Sequence, residues 1–371
     1  MKGVPGTAAS LTLAIAFVMS LLLTSACAVE PKNRPADRMV NLGFEDVVNS
    51  DPLYLTGLAE RLDSVDATAV SLAVGRTDWT AFPLQGQTET ESSEVARTGR
   101  DYVAESISAL EFAEDGRKRD VVLTIDALLD RALTAEPALA GRDTSGAASS
   151  TFASVSSLRH GKAGSRLASL AAVIAGRYRP TAVNLTELMF DDFTFGEEDL
   201  IDFKATTGAK DWPRKNDGSI DASDASISGW RSEAMADIVL KVRTAVEPYG
   251  VKLDMDVRAP RESPSLDRAD SGHDYDLLLK QAHRLHVWEY VGLNSESSPQ
   301  TKELAEAMNR RAGSRISLSV GLWGNDGRIS AGELATALRD AVLGGATSVS
   351  VTPASLMEGQ HWDVLKEAWA R

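Results

Sequence analysis

One cysteine, Cys27, and five histidines are all the thiol and imidazole that the 371 residues carry. A lone cysteine cannot form a disulfide within the chain. The histidines nowhere take the spacing of a helix-borne metal site, so no metal or other cofactor is assigned. Neither a glycine-rich phosphate loop nor a G-x-S-x-G elbow occurs, which removes the sequence grounds for nucleotide binding and for serine-hydrolase chemistry of that type. Positive charge is short as well. With 39 Lys and Arg against 53 Asp and Glu, the net charge is −14, and no basic patch is visible for a nucleic-acid backbone or an anionic membrane surface.

The longest apolar run, Leu11–Leu23, is too short to span a bilayer and has the length of a signal-peptide core behind Lys2. Cys27 follows Thr24, Ser25 and Ala26, a setting similar to a lipoprotein box in which the cysteine becomes the lipidated N-terminus. Ala26-Cys27-Ala28 could equally serve as an ordinary cleavage site. The expectation is therefore an exported protein: signal peptide over 1–27, a polar tether over 28–38, and one domain over 39–371. Membrane attachment would come through a lipid on Cys27, with plain secretion as the alternative.

Beyond the tether, apolar alternation of period two takes turns with helical periodicity, the pattern of parallel strands joined by helices. Eight such units are legible, with strands beginning near Met39, Ala69, Asp120, Thr181, Val251, Leu285, Arg315 and Ser348. Eight units in about 330 residues fit a (β/α)8 barrel, a TIM barrel, with an open doubly wound sheet as the competing architecture. Parity favours closure. Large apolar residues such as Val40, Leu42 and Phe44, or Leu253, Met255 and Val257, share one parity. The other holds Asn41, Gly43 and Glu45, Thr124 and Asp126, Asn184 and Thr186, Asp254, Asp256 and Arg258, and Ser317, Ser319 and Gly321. Small and polar residues suit the inside of a closed barrel, whereas a sheet covered on both faces reads as continuous apolar runs.

Long insertions follow strands two, three and four. They lie at the face where barrel enzymes build sites. The second, GRDTSGAASSTFASVSS, reads as mobile from its Ser, Ala and Gly content. The longest runs from the strand at Thr181 through MFDDFTFGEEDL to the helix beginning near Ser226, and a connection of that length inside a compact domain calls for a function.

Carboxylates crowd the same face: Glu45, Asp126, Glu187, Asp191, Asp192, Asp254, Asp256 and Glu289. Two such groups, one protonated and one ionised, are what hydrolysis of a glycosidic bond requires. Strict alternation aims Glu187 outward, so it must lie just past the end of its strand. The bland alternatives are a solvated acidic loop for Asp191 and Asp192, and a buried ion pair with Arg258 or Lys252 for Asp254 and Asp256. Aromatics near this face, among them Trp79, Phe193, Phe195, Trp212, Trp288, Tyr290 and Trp323, suit sugar stacking, and each could instead be packing. In NDGRISAGEL, Ser330 and Glu333 read as a helix capping box rather than half a calcium loop.

The runs ELMFDDFTFGEEDL, SGWRSEAMADIVLKVRTAV and LDMDVRAP, with GHDYDLLLKQAHRLHVWEY and VTPASL, resemble a group of bacterial glycoside hydrolase-like barrel proteins. These are related to the hydrolase domain of the poly-N-acetylglucosamine deacetylase. The resemblance spans Val40 to Trp362 and implies a glycan substrate, with the acid supplied by Glu187, Asp191 or Asp192 and the sugar site lined by Asp256, Arg258 and Tyr290. One departure is visible. The end of strand seven reads GLWGND, with only Asp326 beyond Trp323, where many barrel glycosidases carry a second carboxylate.

The expectation is a glycoside hydrolase-like protein acting on a polysaccharide or oligosaccharide at the cell envelope. Glu187, Asp192 and Asp256 are the candidate catalytic residues, and Asp126, Asp191, Asp254, Arg258, Trp288, Tyr290 and Trp323 the candidate substrate-binding ones. The alternative is a carbohydrate-binding lipoprotein that has kept the barrel without turnover.

Overall fold

The computed structural model describes residues 34–369 apart from 85, 87–89, 295–299 and 326. Cys27 and the residues expected to form the signal peptide lie outside them, as does Asp326.

Eight parallel strands close on themselves. They are β1 (Asp37–Leu42), β2 (Ala69–Arg76), β3 (Asp120–Asp126), β4 (Ala182–Thr186), β5 (Lys252–Arg258), β6 (Arg284–Glu289), β7 (Ile316–Gly321) and β8 (Ser348–Thr352). Each pairs with its neighbours in sequence, and closure comes from β1 pairing with both β2 and β8. One major helix follows each strand: α1 (Tyr54–Ser64), α2 (Tyr102–Leu110), α3 (Lys162–Tyr178), α4 (Ala225–Val246), α5 (Tyr275–Gln281), α6 (Thr301–Ala312), α7 (Ala331–Leu343) and α8 (Gly359–Trp369). This is a TIM barrel, and the open-sheet alternative falls.

The parity reading explains why the sheet curls. Val40, Leu42, Val70, Leu72, Leu123, Ile125, Leu253, Met255, Leu318 and Val320 are all buried in the main core under the helices, each contributing about 1.5–3 kcal/mol when fully buried. Inside the ring, Met39, Ala69, Val122 and Ala182 form a separate apolar plug across β1–β4. On the opposite wall the interior is polar, with Asp254, His286, Ser317 and Ser350 buried. Phe44 departs from the expected parity because β1 stops at Leu42, and Phe44 opens a short helix, Phe44–Val47, at the barrel mouth.

The fold also begins earlier than the tether reading allowed. Arg38 is buried, and its Nε donates to the Asp66 carbonyl at 2.9 Å. The serine-rich insertion after β3 is likewise ordered. Ala140–Arg142 and Ala148–Ala153 pair as an antiparallel hairpin, and Phe195 N donates to Arg142 O at 2.8 Å, docking the hairpin on the β4–α4 loop. Composition was a poor guide there because the pairing partner is local. At the head of α7 the capping box forms as read. Ser330 Oγ accepts from Glu333 N at 3.2 Å, and Glu333 Oε2 accepts from Ser330 N at 2.7 Å.

Candidate active site

A cavity of about 330 Å³ opens at the C-terminal mouth of the barrel, in the low part of the range typical of small-molecule sites. The inward residues of successive strands line it: Asn41, Ser71, Thr124, Asp126, Asn184, Asp256 and Ser319. Residues beyond the strand ends complete it, with Phe44 and Glu45 after β1, Glu187 after β4, Tyr290 after β6 and Trp323 after β7.

Glu187 reaches this cavity by a backbone device. β4 ends at Thr186, and Glu187 then takes φ = +55°, the left-handed region that non-glycine residues seldom occupy. The reversal sends inward a side chain that alternation would have sent toward the helices. The next three residues, Leu188, Met189 and Phe190, are buried and anchor the turn. Glu187 is half-buried. Burial, followed by the charges of Asp126 and Asp256, pushes its pKa up to about 7, against the pull of Arg258 and Arg76.

Asp256 faces the cavity from β5. Asn184 Nδ2 donates to Asp256 Oδ1 at 2.9 Å and to Thr124 Oγ1 at 3.3 Å, while Ser71 Oγ and Thr124 Oγ1 lie 2.8 Å apart. A row of side chains from β2 to β5 thus fixes the carboxylate's orientation. Asp126 is committed differently. Its Oδ2 accepts from Arg76 Nε at 2.8 Å and its Oδ1 from Leu128 N at 2.8 Å, and burial raises its pKa despite these contacts. Glu45 accepts a hydrogen bond from Ser355 Oγ at 2.5 Å.

Aromatic rings form the other wall. Tyr290 stacks on Trp288 at 5.5 Å between centroids and packs against Trp323 at 5.1 Å. Trp323 is 36% exposed, enough to offer a face to a ligand. Burial, then Asp256 and Glu187, drive the Tyr290 hydroxyl's pKa far above its usual value, so it stays a hydrogen-bond donor. The missing carboxylate at the end of β7 has a steric explanation. A Cβ on Gly321 would stand 2.3 Å from Tyr290 Cδ1, so the tyrosine ring occupies the space a side chain there would need.

Of the residues singled out from sequence, Asp126, Glu187, Asp256, Tyr290 and Trp323 line one cavity. Trp288 backs it through Tyr290. Asp191 does not line it. Its two oxygens accept from Arg258 Nη1 and Nη2 at 2.6 and 2.9 Å, a bidentate pair at the rim. Asp192, expected as a catalytic group, is exposed and outside the cavity, because the chain turns outward once Arg258 has captured Asp191.

Asp254 requires the clearest correction. It faces inward, yet one layer too deep, and lines a second cavity of about 50 Å³ at the N-terminal end of the barrel with Lys252, His283, Arg284 and His286. His283 Nδ1 and His286 Nε2 stand 3.4 and 3.6 Å from its oxygens. Burial works against the Asp254 carboxylate, but the flanking histidines override it and hold its pKa down at about 2. Glu289 lies on the helix-facing side, where its Oε1 accepts from Thr301 Oγ1 at 2.6 Å. Phe195 and Trp212 are packing residues, buried in a cluster with Phe203 and Trp230.

Sequence reasoning passed over Arg76, His273 and Ser355. Arg76 closes β2 on the inner wall, and the polar end of an apolar strand was the available signal. His273 had none, since its partners are backbone atoms. Among the described residues no group of three or more His, Cys, Asp or Glu side chains is arranged to hold a metal ion.

No family model matches the chain, and no curated protein matches it in sequence. Solved structures do. The glycoside hydrolase domain of PgaB (BpsB) from Bordetella bronchiseptica is similar with a TM-score of 0.69 at 15% identity, over 90% of this chain and 99% of that one. The catalytic domain of β-amylase from Paenibacillus polymyxa gives 0.59 at 12% identity over 90% and 97%. A catalytic mutant of Gan42B, a GH42 β-galactosidase from G. stearothermophilus, gives 0.61 at 9% over 91% and 56%. At these identities the likeness is one of fold, a (β/α)8 barrel that several glycoside hydrolases use.

Proposed function

We propose that the protein is a glycoside hydrolase in which Glu187 is the general acid and Asp256 the nucleophile or general base. The observation that carries this reading is the pairing of two carboxyl groups in one cavity under different conditions. One is pushed up to about 7 by burial and its acidic neighbours, and the other is oriented by Asn184. Two titratable groups whose surroundings separate their roles are the pattern of acid/base catalysis on sugars. Protonated Glu187 delivers its proton to the glycosidic oxygen as the bond to the anomeric carbon breaks. Asp256 then takes up the electron demand at that carbon, directly or through a water it deprotonates.

Trp323 and Tyr290 offer the apolar face of a sugar ring its platform, and Asn41 and Glu45 supply polar partners in the same cavity. The fold shared with glycan-cleaving barrels supports the substrate class. The test is release of reducing ends from a panel of polysaccharides by the wild type, Glu187→Gln and Asp256→Asn. Activity in the wild type that both amides abolish supports the assignment, and unchanged rates in either amide remove that residue from it.

A binding role without turnover draws support from one feature, the capture of Asp126 and Asp191 by arginines. Calorimetric affinity for a glycan that the wild type never cleaves would favour it. We further propose export and anchoring at the envelope by a lipid on Cys27, supported by the apolar run at Leu11–Leu23. Cys27→Ala should move the protein from the membrane fraction to the soluble one, and an unchanged distribution would reject the anchor.

A further inference from the structure

We propose that His273 is a positioning residue whose imidazole ties the turn after β4 to the end of β5 and so keeps the Glu187 carboxyl inside the barrel mouth. The proposal rests on the reading of Glu187 as proton donor. His273 is completely buried, and it touches no atom that would react. Its Nδ1 accepts from Arg258 N at 3.1 Å, and its Nε2 donates to Leu188 O at 2.9 Å. Those two bonds require the neutral ring with its proton on Nε2, since an imidazolium could not accept from Arg258. Burial drives the His273 pKa down to about 4; the bond to Leu188 opposes this and the nearby Arg258 and Arg268 add to it. The ring is neutral across the range in which Glu187 titrates.

The geometry explains why such a tie is needed. Glu187 sits at φ = +55°, a conformation that is unfavourable for a residue with a side chain and persists only where its surroundings enforce it. The enforcement begins at the next residue, where the Leu188 carbonyl is held by His273. It continues at Phe190, whose N donates to Ser271 O at 2.9 Å. Between these two contacts Gly272, at φ = +83°, lets the segment press against Phe190 and Arg231, where a Cβ would stand 2.9 Å from Phe190 Cδ2.

On its other side the imidazole holds Arg258, two residues beyond Asp256 and the partner of Asp191. One ring therefore sets the acid's strand end against the strand that carries its counterpart. Released from it, residue 187 can relax to extended backbone, where alternation points its side chain away from the cavity.

The readout is the titration of the Glu187 side-chain carboxyl by carbon NMR. That group is faced by Asp126 from β3, Arg76 from β2, Asp256 and Arg258 from β5, and Tyr290 after β6, so leaving the cavity changes its titration. In folded His273→Ala the midpoint should fall by at least about one unit toward the free value, and kcat by about 10-fold to 100-fold with KM nearly unchanged. His273→Gln, whose amide nitrogen can donate to Leu188 from a similar position, should restore both.

If His273→Ala does not fold, His273→Asn keeps an acceptor for Arg258 N, loses the donor to Leu188, and is read in the same way. A Glu187 midpoint unchanged in a folded variant lacking that donor overturns the proposal, whatever happens to activity. A midpoint that moves as described while the wild type cleaves no glycan leaves the positioning role standing and removes the hydrolase reading instead.

Discussion

At the scale of single residues, the proposed chemistry depends on one carboxyl group turned against the alternation of its strand. Glu187 was recognisable as a candidate because it is the first acid after an apolar strand. Its place just past the strand end was legible from the alternation, and β4 does stop at Thr186, but the positive φ that turns it inward was not, since that leaves no mark in composition. The pKa of about 7 fixes the sign of the pH response. A general acid works while protonated, so kcat/KM should hold below pH 7 and fall as pH rises through it. Glu187→Gln should lose about 10²-fold to 10⁴-fold in kcat and, in whatever rate remains, the alkaline limb near 7. A limb that persists unchanged in Glu187→Gln would assign that titration to another group.

At the scale of elements, the long β4–α4 connection is organised by a buried arginine. Arg231, near the start of α4, donates to Thr194 Oγ1 at 2.6 Å and to the carbonyls of Asp270 and Asp191 at 2.6 and 3.1 Å. It thus binds together the loops following β4 and β5. Gly272 lies in the same layer. Gly272→Ala must accommodate both a positive φ and contact with Phe190, so it should cost about 1–3 kcal/mol in denaturant unfolding and lower activity with it. A variant as stable as the wild type would show that the layer tolerates rearrangement.

The strands and the parity of their faces were legible because each strand repeats the same alternation. The depth of a residue along the barrel axis was not, because Asp254 and Asp256 share a parity and differ only by one layer. Asp192 was misplaced for a related reason. Adjacent acids look equivalent in a sequence, and only the Arg258 clamp on Asp191 separates them.

At the scale of the whole molecule, several acids are held away from their ordinary titration, and stability should follow them. Glu289 is fully buried and burial pushes it up to about 7. The folded state therefore binds a proton that the unfolded chain gives up near 4.5, and stability drops as pH climbs from 5 through 7. Glu289→Gln should raise the unfolding free energy at pH 8 relative to pH 5 by about 2 kcal/mol, and an equal effect at both would exclude an ionised Glu289 as the cause. Asp254 acts in the opposite sense. With its pKa held at about 2, it stabilises the fold above pH 4, and that contribution disappears as pH falls toward 2. Asp254→Asn should therefore destabilise at pH 7, much less at pH 2, and leave glycan cleavage intact because the residue is in the other cavity.

The eight-fold ring brings Glu187 and Asp256 into one 330 Å³ cavity walled by aromatic rings, and the most direct test is a crystal structure of Glu187→Gln soaked with an oligosaccharide that the wild type cleaves. The expected result is a sugar ring against Trp323 and Tyr290, its glycosidic oxygen within hydrogen-bond reach of the side-chain amide at 187, and Asp256 facing the anomeric carbon. A glycan bound away from the mouth, or one in the cavity whose glycosidic oxygen points away from position 187, would contradict it.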